Sequence, residues 1–379
     1  MQSRRAGKIK PFIAMELLAR AGELEASGRD IVHMELGEPD QSAPGHVVKA
    51  AFQAIKEGYT TYTPTEGIHE LRRAVSGHYA REYDVELDPD RVFITMGVSP
   101  ALFLVFSFLL NPGDEVVIHE PYYPPYPKCI SYLGGRVRSV KLDRTDGFAI
   151  DLERMLASVT GRTKAILINS PSNPTGMIAD REVLTGLADS GITIISDEIY
   201  HRITYGVKAA SILEFTDNCW VLNGFSKVYG MTGWRLGWVI CPRDALDQLK
   251  AVHQNFFLSA NAFVQKAGEA ALTGPQDFVS DRLEIYNQRR IYLIESLAKL
   301  GWRLGSEPQG AFYLLADISS TGLDGLTVSR RLLEEAGVAV TPGLDFGELA
   351  GDFIRFSYAT DLERIKVGVA RIRRWLERF

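Results

Sequence analysis

Residues 165–168 (Ala-Ile-Leu-Ile) and 192–195 (Ile-Thr-Ile-Ile) decide the fold class of this chain. Both runs are almost continuously apolar instead of alternating with polar residues, which is the pattern of strands buried on both faces. Such strands lie near the centre of a mostly parallel sheet that helices cover on both sides. The two runs therefore predict an α/β architecture.

The same β-rich character recurs along the chain between helical stretches, at residues 92–95, 115–119, 136–140, 220–222 and 238–241. This alternation predicts a large α/β domain with a mostly parallel seven-stranded sheet flanked by helices.

The pattern changes after about residue 280 to a long charged helix, predicted at 281–300, and to strand candidates at 311–315 and 353–356. These elements predict a smaller α+β domain, which we expect to include the N-terminal segment with its helix at 11–27. The predicted boundaries are 1–45 for the N-terminal arm and part of the small domain, 46–279 for the large domain and 280–379 for the C-terminal part.

The overall composition excludes several classes of protein. A net charge of -5 over 379 residues offers no basic face for nucleic acid. The longest apolar runs, such as 101–110, are far shorter than the roughly 20 residues of a membrane-spanning helix. The N-terminus shows no apolar core of a signal peptide, so we expect a cytoplasmic protein.

Three widely spaced cysteines, Cys129, Cys219 and Cys241, form no C-x-x-C pair. Their spacing suggests neither a disulfide framework nor a metal site, and we expect buried, reduced thiols without a metal.

One lysine, Lys227, follows a strand in the segment Asn-Gly-Phe-Ser-Lys-Val-Tyr-Gly-Met-Thr-Gly-Trp-Arg at residues 223–235. Its neighbours are apolar, small or hydroxyl-bearing, and such surroundings suit a lysine whose pKa burial lowers toward nucleophilicity. Taken alone, a lysine in this position is more commonly a solvated surface charge.

Two further strand ends carry candidate binding groups. After the strand at 92–95, Ser99 is predicted as a helix N-cap with Pro100 at the first helical position, which exposes backbone N–H groups suited to a phosphate. Asp197 ends a buried strand, where a carboxylate could keep a pyridine nitrogen protonated. Taken alone, each residue is more commonly a simple helix cap.

The lysine segment, Ser-Lys-x-x-Gly-Met-Thr-Gly-Trp-Arg-x-Gly, resembles the lysine signature of class I/II aminotransferases of fold type I. Further matches follow in family order at residues 37–40, 62–67, 111–114, 173–176, 197–200 and 353–355. Nearly the whole chain is covered by this resemblance. It implies an enzyme that uses pyridoxal 5′-phosphate (PLP).

The resemblance implies a role for each matching residue. Lys227 forms the Schiff base with PLP and shuttles a proton during catalysis, assisted by Asp197 at the ring nitrogen and Tyr200 at the phenolic oxygen. The remaining residues that bind the cofactor are Val98, Ser99, Tyr123, Asn173, Ser226, Arg235 and Tyr62. The substrate carboxylate is bound by Arg355, with Gly37 and Asn173 beside it.

Two positions of the resemblance concern the oligomeric state and the phosphate contacts. Tyr62 corresponds to a tyrosine that reaches the cofactor phosphate of the neighbouring subunit, so the resemblance implies a homodimer. Gly224 stands where some relatives have a phosphate-binding serine, and Ser226 lies on the other strand face.

The implied reaction moves an amino group between an L-amino acid and a 2-oxo acid. A PLP-dependent β-lyase acting on cysteine-type substrates is the alternative enzyme, because the fold and cofactor residues are shared. A ligand-sensing regulator is disfavoured, since only about 40 residues precede the large domain, and no G-x-G-x-x-G motif indicates a nicotinamide enzyme. The donor, acceptor and pathway are not fixed by these motifs.

Overall fold

The computed structural model describes residues 5–378. Positions 1–4 and 379, which belong to the predicted segments 1–45 and 280–379, lie outside the described residues. The β-strands, in chain order, are β1 (Val32–His33), β2 (Val92–Thr95), β3 (Glu115–Glu120), β4 (Arg136–Lys141), β5 (Thr163–Asn169), β6 (Ile194–Asp197), β7 (Cys219–Gly224), β8 (Gly237–Ile240), β9 (Arg303–Leu304), β10 (Tyr313–Asp317), β11 (Val338–Ala339), β12 (Thr341–Pro342) and β13 (Phe353–Ser357).

The α-helices fill the intervals between these strands. In chain order they are α1 (Ile13–Ala26), α2 (Gly45–Lys56), α3 (His69–Tyr83), α4 (Val98–Leu109), α5 (Pro125–Tyr132), α6 (Leu152–Ala157), α7 (Arg181–Asp189), α8 (Leu246–Phe256), α9 (Ala262–Thr273), α10 (Asp277–Lys299), α11 (Gly325–Arg331) and α12 (Leu362–Leu376).

The large sheet contains all seven predicted strands, in the order β2-β8-β7-β6-β5-β3-β4. Only β8 runs antiparallel to its neighbours, so the sheet is mostly parallel, as predicted. The two runs that predicted the fold, in β5 and β6, lie beside each other near its centre. The α/β fold class is thereby confirmed.

Burial on both faces of β5 explains its continuous apolar sequence. Ala165 and Leu167 belong to one hydrophobic cluster, whereas Ile166 and Ile168 belong to the cluster on the opposite face of the sheet. Successive side chains of a strand point to opposite faces, so both layers of helices receive apolar residues from this strand.

Two smaller sheets lie beside the large one, and the second of them joins the N-terminal and C-terminal segments. One is a four-stranded antiparallel sheet in the order β12-β13-β10-β9, and the other pairs β1 with β11 in parallel. The two strands are 306 positions apart, counted from Val32 to Val338. Their pairing therefore holds the N-terminal segment against the C-terminal part of the chain.

Two predicted elements differ in their limits. The long helix α10 begins at Asp277 instead of residue 281, because Asp277 at its first position complements the positive end of the helix dipole. The strand predicted at 311–315 is β10, at Tyr313–Asp317, because Ala311 has a φ of 57° and leaves the extended conformation.

Candidate active site

A cavity of about 310 Å³ lies where β5 and β6 end, with Asn169 and Asp197 in its wall. The carboxyl ends of parallel strands are the usual place for a ligand in open α/β sheets. Every predicted site residue except Tyr62 lines this cavity: Gly37, Val98, Ser99, Tyr123, Asn173, Asp197, Tyr200, Ser226, Lys227, Arg235 and Arg355. Residues far apart in the chain thus meet at one place.

Lys227 follows β7 and projects its amine into surroundings with little water. Its Nζ donates a hydrogen bond to the carbonyl of Gly37 and lies 6.0 Å from the ring centroids of Tyr200 and Phe312. Burial lowers the pKa of Lys227 to about 8, and the positive charge of Arg355 acts in the same direction. A neutral, nucleophilic amine is therefore accessible near neutral pH.

Asp197 at the end of β6 is a buried carboxylate with two neutral hydrogen-bond donors. The Tyr126 hydroxyl donates to Oδ2 at 2.7 Å, and the backbone N–H of Ile199 donates to Oδ1 at 3.2 Å. Burial raises the pKa of Asp197 to about 6, although the bond from Tyr126 acts against this rise. A cationic group in the cavity beside this carboxylate would relieve its burial cost.

The start of α4 lies next to the guanidinium of Arg235. Gly97, with a φ of 95°, is the N-cap and Val98 is the first helical residue, so the prediction of Ser99 as N-cap is wrong. A Cβ atom on Gly97 would lie 2.5 Å from Nη2 of Arg235, so only glycine lets the guanidinium approach the helix start. The free N–H groups of the first turn and this guanidinium suit a phosphate.

Arg355 lies on β13 and is buried by its neighbours. Its Nη1 donates to Oδ1 of Asn173 at 2.9 Å, and its Nη2 donates to the carbonyl of Glu35 and to Oγ1 of Thr341 at 3.2 Å. Its Nε has no hydrogen-bond partner among residues 5–378. A buried cation with an unused donor suits a carboxylate ligand.

Three cavity residues that hold the predicted ones were not identified from the sequence. Tyr126 donates to Asp197, Tyr313 shares a 2.8 Å hydrogen bond with Tyr200, and Asn169 accepts from the Asn173 amide at 2.8 Å. The Asn169 side chain also donates to the carbonyl of Asp197 at 3.0 Å. Two of them are close in sequence to predicted residues, Tyr126 three positions after Tyr123 and Asn169 four positions before Asn173.

Gly37 has a steric reason to be glycine. A Cβ atom there would overlap the hydroxyl of Tyr313, which is the same hydroxyl that bonds Tyr200. The loop that follows β1 therefore packs directly on the aromatic wall of the cavity, with its carbonyl next to Lys227.

Tyr62 lies outside the cavity, with 83% of its surface exposed. The backbone of the next residue, Thr63, contacts Ser259 at 3.4 Å, so Tyr62 stands beside the segment between α8 and α9. Phe256 at the end of α8 and Leu258 of that segment are also exposed, at 70% and 45%. Tyr59 and, on α2, Phe52 and Ile55 are further exposed apolar side chains.

Residues 5–378 lack two features of other classes of protein. None of the helices found there is long and apolar enough to cross a membrane. Within the same part of the chain, no group of three or more His, Cys, Asp and Glu side chains could hold a metal ion.

Comparisons with known proteins agree with this arrangement. The family model for aminotransferase class I and II matches residues 29–372. A probable aspartate aminotransferase of Methanocaldococcus jannaschii is 38% identical with 100% of both chains covered, and an aspartate/prephenate aminotransferase of Thermus thermophilus is 38% identical with 99% of both covered. The solved structure of a Thermus thermophilus aspartate aminotransferase with maleate has a TM-score of 0.95 at 37% identity, covering 99% of each chain.

Proposed function

The chain belongs to the class I and II aminotransferases, and from this premise we propose that the cavity around Lys227 is its active site. The protein is a PLP-dependent aminotransferase that acts on amino acids and 2-oxo acids. The observation that carries the site assignment is the meeting of Lys227, Asp197, Arg235 and Arg355 in the wall of one cavity.

The residues of the cavity fit PLP in three respects. Asp197 is a buried carboxylate whose hydrogen-bonded neighbours are all neutral, which suits a protonated ring nitrogen. The start of α4 with Arg235 suits the phosphate. The Lys227 amine, with its lowered pKa, suits the aldehyde.

The remaining assignments follow from these three anchors. We assign Val98, Ser99, Ser226 and Arg235 to the phosphate and Tyr123 to the face of the ring. Asn173 and Tyr200 are assigned to the phenolic oxygen. Tyr126 and Tyr313 act indirectly, because they bind Asp197 and Tyr200.

When bound, PLP supplies an aldehyde that condenses with amines and a ring that accepts the electron pair released at the substrate Cα. The chain's own residues supply the rest. Lys227, with a pKa of about 8, can take the proton from Cα and return it, since an acid–base group works best near ambient pH. Its hydrogen bond to Gly37 holds the amine at the cavity wall.

Arg355 binds and orients the substrate by its α-carboxylate. Its Nη1 and Nη2 are held by Asn173, Glu35 and Thr341, so the guanidinium plane is fixed before a ligand arrives. A fixed cation loses little entropy on binding and sets the direction of the Cα–H bond. The names of the relatives make aspartate one candidate donor.

We also propose a homodimer in which Tyr62 reaches the phosphate of the neighbouring subunit. We propose that six exposed apolar side chains form one surface, the apolar patch, which supports this assembly because monomers rarely expose contiguous apolar surfaces. They are Phe52, Ile55, Tyr59, Tyr62, Phe256 and Leu258. With 83% of its surface exposed, Tyr62 is available to a partner subunit.

We propose the domain boundaries 1–45, 46–279 and 280–379, and a cytoplasmic location. The pairing of β1 with β11 supports the assignment of the N-terminal segment to the small domain. The three cysteines are free, and burial raises the pKa of each, which supports a reducing compartment.

The spectrum of the purified, PLP-loaded protein tests the proposed site. We expect single amino acids to convert the bound cofactor from its aldehyde form to its pyridoxamine form, and a 2-oxo acid to reverse the change. Lys227→Ala should bind PLP without this turnover. Turnover near the wild-type rate in that variant would contradict the assignment, and release of ammonia without an oxo acid would indicate a lyase.

A further inference from the structure

Tyr200 and Tyr313 bring two phenol hydroxyls together at the wall of the cavity. Tyr200 follows β6 of the large sheet, whereas Tyr313 is the first residue of β10 in the four-stranded sheet. Their oxygens are 2.8 Å apart, and their rings cross at 83° with centroids 5.6 Å apart. Both side chains line the cavity, and they are only 4% and 1% exposed. One buried hydrogen bond therefore joins the two sheets at the proposed active site.

Only one of the two hydroxyl protons can lie between the two oxygens. Burial raises the pKa of Tyr200 well above its usual value and also raises the pKa of Tyr313, so both phenols are neutral and each carries a proton. Neither hydroxyl has another hydrogen bond among residues 5–378. The phenol that accepts the shared proton therefore keeps its own proton for a different acceptor.

The charge of Arg355 favours Tyr313 as the donor of this bond. The guanidinium carbon of Arg355 is 4.4 Å from the centroid of the Tyr313 ring. Its charge acts against the rise that burial causes in the pKa of Tyr313. The more acidic of two phenols is the better donor, so the shared proton comes from Tyr313. The second cation that faces the pair is Lys227, 6.0 Å from the centroid of the Tyr200 ring, and the proposed function joins its amine to PLP.

The position of the Tyr313 hydroxyl is fixed from two sides. In the antiparallel pairing of β10 with β13, Tyr313 lies opposite Ser357 and Leu315 lies opposite Arg355. This register makes Tyr313 and Arg355 diagonal neighbours on one face of the sheet. On another side, the backbone of Gly37 is so close that a Cβ atom there would overlap the Tyr313 hydroxyl. These contacts hold the hydroxyl against Tyr200.

We propose that Tyr313 is a positioning residue that couples the substrate anchor to the cofactor site. Tyr313 donates its proton to Tyr200, so the Tyr200 hydroxyl donates its own proton to the phenolic oxygen of PLP. The first bond strengthens the second, because hydrogen bonds in a chain polarise one another. A substrate carboxylate that neutralises Arg355 makes Tyr313 a weaker donor and thereby weakens the bond to the phenolic oxygen. This inference rests on the proposed active site.

The pH dependence of the visible absorption band of the PLP-loaded protein measures the bond to the phenolic oxygen. A donor to this oxygen stabilises its anion and so lowers the pH at which the neighbouring proton is lost. We expect Tyr313→Phe to raise the midpoint of this titration by about 0.1 to 0.7 unit, the share that one cooperative bond adds to a charge-assisted one. A midpoint equal to that of the wild type overturns the inference.

Tyr205→Phe is the matched control for the loss of a buried hydroxyl. The Tyr205 hydroxyl donates to the carbonyl of Ala311 at 2.7 Å, two residues before Tyr313, but Tyr205 does not line the cavity. This variant should keep the midpoint of the wild type. An equal shift in Tyr205→Phe and Tyr313→Phe would show a general effect on the start of β10 and would contradict a specific role of Tyr313.

A double variant tests whether Tyr313 acts through Tyr200. Tyr200→Phe should raise the midpoint by about 1 to 2 units, because it removes the charge-assisted bond itself. Adding Tyr313→Phe to Tyr200→Phe should raise it no further, since no Tyr200 hydroxyl remains to be oriented. If Tyr313→Phe causes the same shift in both backgrounds, it does not act through Tyr200 and the inference fails.

Propionate tests the link to Arg355, because it offers a carboxylate without an amine and cannot convert the cofactor. At concentrations that compete with an amino acid, propionate should raise the midpoint of the wild type and should raise that of Tyr313→Phe by less. The rise that remains in the variant reports the other contact of Arg355, with Asn173 at 2.9 Å. An equal rise in both proteins, or none in the wild type, overturns the coupling.

Pyridoxamine 5′-phosphate gives a readout that does not depend on a bond to Lys227. It keeps the phenolic oxygen, and its dissociation constant is measured with the PLP-free protein. Tyr313→Phe should weaken its binding by about two- to fourfold, whereas Tyr205→Phe should not change it. Equal affinity of the wild type and Tyr313→Phe contradicts the inference.

These experiments separate the inference from the proposed function on which it rests. If the PLP-loaded wild type has no visible band that changes with pH, or if Tyr200→Phe leaves the midpoint unchanged, the proposed site fails. If Tyr200→Phe raises the midpoint and Tyr313→Phe does not, the proposed site stands and the role of Tyr313 is refuted.

Discussion

Replacement of Arg355 by lysine separates charge from geometry at the substrate anchor. Lysine keeps the positive charge but has no planar fork, so it cannot keep the contacts to Asn173, Glu35 and Thr341 and still bind both oxygens of a carboxylate. It also loses the stacking of the guanidinium over Tyr313, whose ring centroid is 4.4 Å away.

The expected loss follows from one charge-assisted hydrogen bond to the substrate. Such a bond contributes about 1.5–3 kcal/mol, which corresponds to about tenfold to 150-fold in rate constant over saturation constant. Because the α-carboxylate is bound in the ground state, most of the loss should appear in the saturation constant. Affinity for PLP should stay within about threefold of the wild type, since Arg355 is not assigned to the cofactor.

The assay is the conversion of the bound cofactor by increasing concentrations of one amino acid, followed by absorbance. Arg364→Lys is the matched control, because Arg364 pairs with Asp30 at 2.7 Å on the surface and lies outside the cavity. A saturation constant for Arg355→Lys equal to that of the control would refute the reasoning. So would a loss of PLP affinity as large as the loss of substrate affinity.

Two further predictions concern the lysine and the surface patch. The pKa of Lys227 is about 8 in the folded protein, whereas its ordinary value is 10.5. Between pH 8 and pH 10.5 this lysine is therefore protonated in the unfolded chain and neutral in the folded one. Stability of the PLP-free protein should therefore rise with pH across this window, and Lys227→Met should abolish the rise. Below pH 8 this variant should be more stable by about 2 kcal/mol, which is less than the pKa shift alone corresponds to, because the open cavity gives the side chain some access to water. Urea unfolding of the wild type and of Lys227→Met at several pH values measures both effects. If the free energy of unfolding changes with pH in the same way for both proteins, the amine of Lys227 is not desolvated. For the patch, Phe256→Glu should shift the dimer to a monomer in light scattering, because it buries a charge in the interface, whereas Ile291→Glu on α10 should not. A Phe256→Glu dimer of unchanged stability would remove the support that the patch gives to the homodimer.

Much of the large sheet could be predicted from sequence, because its strands are buried on both faces. Ala165 to Ile168 carry apolar side chains to both helix layers, and so short a continuous apolar run favours a buried strand. The start of α4 was harder. Gly97 is the N-cap with a positive φ, and a further reason for glycine there is the close approach of Arg235, which lies 138 positions later in the chain.

The predicted site residues came from motifs, whereas their supporting residues depend on tertiary contacts. Tyr126 and Asp197 are 71 positions apart, and Tyr200 and Tyr313 are 113 apart, so neither pair has a local signature. These contacts are properties of the folded chain alone.

The attachment point of the cofactor tests the central claim most directly. PLP-loaded protein would be reduced with borohydride, digested and mapped by mass spectrometry, with Lys227→Ala treated in parallel. Our account predicts a reduced pyridoxyl adduct on the peptide that contains Lys227 and no stoichiometric adduct in the variant. A stoichiometric adduct on another lysine, or the same adduct yield in Lys227→Ala, would contradict it.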